Sequence, residues 1–174
     1  MSTLNLSRLD LISKMDLNKI KWENRASSNC YAFALGFDIA EKDICESAYC
    51  PGVIGGSKIN LPSMYSFSLD DLISCIETDL DYLGIDFREN ATLDDLKDGE
   101  WLIALYVSYL FSHRKDRLSD YHFLRLFDDG TWYHKNGFYG RVINLDTKRK
   151  VITDPLTCEL RNREFIKTYA LKLK

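Results

Sequence analysis

From Trp101 to Lys174 the sequence is a series of short apolar runs separated by turn residues, and this pattern constrains the fold more than any other feature. "WLIALYV" (Trp101–Val107) is continuously apolar and suits a central strand. "DYHFLRLF" (Asp120–Phe127), "TWYHK" (Thr131–Lys135) and "RVINL" (Arg141–Leu145) follow as successive strands, and "KVITD" (Lys150–Asp154) and "FIKTYALKL" (Phe165–Leu173) complete the series. The earlier half carries the helical period instead. Ser68, with Asp71 three residues on, opens a helix whose Leu69, Leu72, Ile73, Ile76, Leu80 and Leu83 form one core-facing stripe. Ser7 opens a shorter helix over Arg8–Asp16, and another begins near Cys30. Helices first and strands later imply an α+β fold, with N-terminal helices packed on an antiparallel β-sheet. With no repeat and no linker, residues 1–174 are expected to form one domain.

Composition narrows the function classes. Hydrophobic residues make up 45% and charged residues 28%, as in an ordinary globular chain. A formal net charge of −3 without a Lys/Arg block argues against a nucleic-acid partner; "KRK" at Lys148–Lys150 reads as a solvated turn. No apolar run approaches the roughly 20 residues of a membrane span. The first residues never build the apolar run of a signal peptide, so the expected location is cytoplasmic, or exported without a signal peptide. The five cysteines are Cys30, Cys45, Cys50, Cys75 and Cys158, and reduced thiols are the default there. Cys45 and Cys50 lack a matching second pair and a neighbouring histidine, so neither a metal site nor a cofactor is expected. Residues 43–66, with Pro51, Gly52, Gly55 and Gly56, read as a long loop that could wall a cleft.

Two features carry chemistry. In "SSNCYAFALG" (Ser27–Gly36) a polar run leads into a cysteine and then an apolar helical segment. A cysteine in a helix's first turn gains a lowered pKa, whereas a structural cysteine needs no such lead-in. The histidines are His113, His122 and His134. His113 lies in the charged stretch "FSHRKDRLSD", read as an exposed loop. The other two flank Asp128–Asp129–Gly130, a three-residue hairpin loop with Gly130 able to take the left-handed position. That closure pairs Leu126 with Trp132 and sets His122 opposite Asn136. His122 and His134 then share one face, a diagonal step apart. This face also carries Leu124 and Leu126, and is expected to meet the cysteine's helix. A thiol and an imidazole so placed suit nucleophilic catalysis, with a third group fixing the imidazole's tautomer.

The cysteine–aromatic–Ala–Phe start at Cys30 and the later histidine strand resemble the papain-like cysteine hydrolases. The twelve-residue step from His122 to His134 is similar to the cysteine–histidine–histidine sites of NlpC-type peptidases in the same superfamily, as is the apolar strand after "DGE". The resemblance covers Asn24–Gly36 and Gly99–Gly137 and implies a papain-like or NlpC-like fold. It also implies a thiol hydrolase acting on an amide bond of a peptide or protein substrate. Cys30 would be the nucleophile, His122 the base and acid, and Asn24, six residues before the cysteine, an oxyanion donor. The third residue would be His134 or Asp154 of "ITDP". The "DCSG", "CGSC" and Asn–Ser–Trp motifs of those families are absent. The wider pattern D-x-H-F-x-R, D-G-x-W-x-H-K-x-G, I-T-D-P resembles one that recurs in uncharacterised bacterial proteins. A glutamine deamidase or transglutaminase-like effector of the same fold is an alternative, since acyl-enzyme chemistry is common to both. A non-catalytic binding module that keeps the fold is another.

Overall fold

The structure is a computed structural model that describes residues 29–36, 50–58, 67–111, 114–137 and 140–174. The expected helix over Arg8–Asp16, together with Asn24, Cys45 and His113, lies outside the described residues. Two α-helices are described, α1 (Cys30–Leu35) and α2 (Leu69–Tyr82). Six strands follow: β1 (Ile85–Glu89), β2 (Trp101–Phe111), β3 (Arg114–Leu126), β4 (Trp132–Lys135), β5 (Val142–Ile143) and β6 (Glu164–Leu173). They form one antiparallel sheet in the order β1-β6-β2-β3-β4-β5. The fold class is α+β.

Local chemistry sets the element ends. The Ser68 side chain accepts from the Asp71 amide at 3.0 Å and Asp71 accepts from the Ser68 amide at 3.1 Å, a complete capping box for α2. The β3–β4 hairpin closes through Phe127 N–H to Thr131 O (3.1 Å), with Gly130 at φ +73°, and pairs Leu126 with Trp132 and Leu124 with His134. This is the register that the three-residue loop requires.

Three elements differ from the sequence pattern. The charged stretch after His113 is strand, not loop: β3 begins at Arg114, and pairing with β2 buries Leu118 among exposed neighbours. "KVITD" contributes only the Val151–Leu145 bridge, because residues 144–163 fold over one face of the sheet instead. β1, half polar and at the sheet edge, had no apolar run to mark it.

The sheet divides the core. On one face, α1 and α2 pack on Ile103, Leu105, Val107, Phe123 and Tyr169. The Tyr31 and Phe123 rings lie 5.0 Å apart. On the other face, Leu102, Ala104, Tyr106, Leu124, Leu126 and Trp132 are covered by Ile152, Cys158 and Leu160. Tyr106 Oη fastens this cover by donating to Pro155 O and contacting Cys158 Sγ at 3.1 Å. The leucine face of β3 therefore meets the 144–163 segment and not the helices. Strand alternation forces the choice: Phe123 faces the helices, so Leu124 and His122 face away.

Candidate active site

Asn29 starts α1. Its backbone is extended (ψ −175°) and its side-chain oxygen accepts from the Ala32 amide at 3.0 Å, which leaves Cys30 as the first helical residue. Gly36, at φ +91°, ends the helix. α1 packs on β3 and β4. There the Cys30 thiol accepts a hydrogen bond from the backbone N–H of Phe123, the residue directly after His122. The pairing of β4 with β3 runs from Leu126–Trp132 to Leu124–His134, one residue from Phe123. The thiol packs in the helix-side core together with Phe123. His122, one residue earlier on β3, points to the opposite face of the strand.

The two histidines meet directly. His122 Nε2 and His134 Nδ1 lie 2.8 Å apart, and His134 Nε2 lies 3.0 Å from Leu145 O. A carbonyl only accepts, so His134 carries its proton on Nε2 and donates to Leu145. Its Nδ1 then accepts from His122 Nε2–H, and the lone pair of neutral His122 is on Nδ1. Both rings are buried, and burial, with the nearby positive charge of Arg163, lowers both pKa values; His134 also lowers that of His122. Near neutral pH the pair is uncharged.

Burial likewise decides the state of Cys30. The thiol pKa is pushed up to about 12, with the Phe123 amide and Arg163 opposing only in part. The expectation of a lowered thiol pKa is thus corrected. A six-residue helix has a weak dipole, and desolvation outweighs it.

Asp154 stands apart from the histidines. Its carboxylate accepts from the Leu156 amide (2.8 Å) and the Thr157 hydroxyl (3.1 Å), holding the turn that Pro155 begins. Among the described residues no group of three or more His, Cys, Asp or Glu is placed to hold a metal ion.

Two charged residues outside the motifs hold the elements around the site. Arg163 donates from Nη2 to Asp120 Oδ2 at 3.0 Å, and Asp120 precedes His122 by two residues on the same strand. Asp79, fully buried on α2, accepts from Tyr31 Oη (3.0 Å), Gly52 N–H (2.7 Å) and Gly55 N–H (2.6 Å). It binds residues 52–55 to both helices, so this part of the loop is fastened down and is no free cleft wall. One sequence signal existed: Asp79 falls seven residues after Leu72, an acid on the apolar stripe.

No family model matches the chain, and no curated protein or solved structure does either. A functional reading therefore rests on the geometry of Cys30, His122 and His134.

Proposed function

We propose that the protein is a thiol hydrolase of amide bonds, a papain-like or NlpC-like peptidase or amidase, in which Cys30 is the nucleophile, His122 the proton carrier and His134 its positioning partner. The observation that supports this most is the relay from His122 through His134 to the Leu145 carbonyl, next to a thiol held on the following amide. The relay fixes the His122 tautomer, as the third member of a triad does.

With the thiol neutral at rest, attack and deprotonation are coupled. His122 Nδ1 takes the Sγ proton as sulfur bonds to the amide carbon. The C–N bond then breaks, with the amine leaving on the proton that His122 returns. Water, deprotonated by His122, cleaves the thioester and regenerates the thiol. The same acyl-enzyme would serve deamidation or transfer, with a different leaving group or acceptor.

The burial and high pKa of Cys30 favour a second reading, a binding module that keeps this architecture without turnover. Profiling the purified protein against peptide, peptidoglycan and glutamine-bearing protein substrates, beside Cys30→Ala, separates the two. Turnover that Cys30→Ala abolishes supports the hydrolase. Wild type and variant alike in every assay supports the module.

A further inference from the structure

Beside the histidine pair is a cavity of about 420 Å³ whose lining includes His134, Asn136, Leu160, Arg161 and Arg163. Asp146 also borders it, but Asp146 Oδ1 already accepts the Lys148 and Lys150 amides at 2.8 and 2.9 Å. Arg163 anchors its backbone on Leu160 O (2.9 Å) and commits one side-chain nitrogen, Nη2, to one oxygen of Asp120. That is its one side-chain hydrogen bond among the described residues. Nη2 carries two hydrogens, one on each bidentate edge of the guanidinium fork, so the edge turned away from Asp120 still offers two N–H donors to a carboxylate. The Arg163 side chain is 21% exposed, so the fork is partly desolvated yet reachable.

We propose that this cavity is a carboxylate subsite, in which Arg163 holds an acidic group of the substrate next to the amide that Cys30 attacks. The inference rests on the hydrolase reading and narrows it to peptides that carry a carboxylate beside the scissile bond. A half-exposed ion pair with Asp120 contributes little stability, so it is a weak reason to keep a guanidinium here. The position is also unfavourable for catalysis without an anion, because the Arg163 charge lowers the basicity of both histidines. A bound carboxylate offsets that charge and restores a base when substrate is present.

The test compares alkylation of Cys30 by N-iodoacetylglycine and by N-iodoacetylglycinamide, which differ only in the carboxylate. Sulfur displaces iodide in both, and peptide mapping by mass spectrometry follows Cys30 apart from the other thiols. The reference is the acid-to-amide rate ratio of the same chain in urea. The ratio in the folded protein should exceed it by at least about fivefold, the size of a partly screened guanidinium–carboxylate contact. Arg163→Gln should bring the ratio down to the reference; any change in thiol reactivity that follows from losing the Arg163 charge acts on both reagents and cancels in the ratio. Asp120→Asn should keep or raise it. Should Arg163→Gln fail to fold, Arg163→Lys, which keeps the charge and loses the fork, should fall between. A wild-type ratio at the reference, or one that survives Arg163→Gln, overturns the subsite. Alkylation requires no amide hydrolysis, so the two readings fail separately. Acid selectivity without turnover keeps the subsite and removes the hydrolase. Turnover without acid selectivity does the reverse.

Discussion

His122 Nε2 and His134 Nδ1 lie 2.8 Å apart with their rings 86° from coplanar, an edge-on hydrogen bond between two buried imidazoles. The bond orders the protons of the site, because the Leu145 carbonyl can only accept. Removing His134 would release that order. His134→Ala should lower kcat by about two to three powers of ten, as loss of a tautomer-fixing group does. His134→Gln, whose amide can accept from His122 and donate to Leu145, should recover part of the rate. Asp154→Ala should leave kcat within about twofold. It should cost about 1 kcal/mol of stability, since Asp154 bonds only its own turn. The opposite pattern in steady-state kinetics and urea unfolding would reverse the roles.

Cys30→Ala should abolish hydrolysis and cost about 1 kcal/mol, because the thiol fills a small place in the helix-side core. In the wild type, iodoacetamide should react at Cys30 with a rate that climbs about tenfold per pH unit through pH 10, as a buried neutral thiol requires. A plateau near pH 7 would reveal a resting thiolate–imidazolium pair instead.

Stability should fall as the medium becomes acidic. Both histidine pKa values are lowered below 6.5 in the folded protein, so the unfolded chain binds protons that the folded chain refuses. This stability is complete above about pH 6.5 and is lost as pH falls through that value toward the folded pKa values. The slope is up to about 1.4 kcal/mol per pH unit for each ring. Asp79, whose pKa burial raises above 3.8, works in the other direction. The double variant His122→Gln/His134→Gln keeps Asp79 and should show a flatter dependence between pH 5 and 7. Equal slopes in urea titrations would dismiss the histidines as the cause.

Two adjacent glycines should respond differently to alanine. A Cβ on Gly55 would meet the Thr78 carbonyl oxygen at 2.6 Å, and a Cβ on Gly56 would meet nothing within 4 Å. Gly55→Ala should cost about 2–3 kcal/mol through displaced backbone. Gly56→Ala should cost about 1 kcal/mol, from its φ of +69° alone. Thermal or urea unfolding of the two variants orders them.

The hairpin that joins the histidines was legible because Asp128, Asp129 and Gly130 determine the turn type, and the turn determines the register. The start of α1 was legible from Asn29 and the apolar residues after Cys30. The face that α1 covers was not, since β3 is apolar on both sides: Phe123 on one, Leu124 and Leu126 on the other. The thiol pKa was misread for the same reason. Motif logic weighs the helix end, whereas burial depends on the tertiary neighbours. Arg163 and Asp79 escaped notice because their partners are distant in sequence, 43 residues for Asp120 and 48 for Tyr31.

The place of β6 bears on how the chain is made. Glu164–Leu173 lies between β1 and β2, pairing Leu171 with Phe87 on one side and Trp101 on the other. While the ribosome is still adding these residues, β1 has no strand to pair with and β2 presents one long apolar edge. Such an edge recruits other nascent chains. Closure of the sheet therefore waits for translation through residue 173, and messages truncated within β6 should yield aggregated product and not a shortened, folded one.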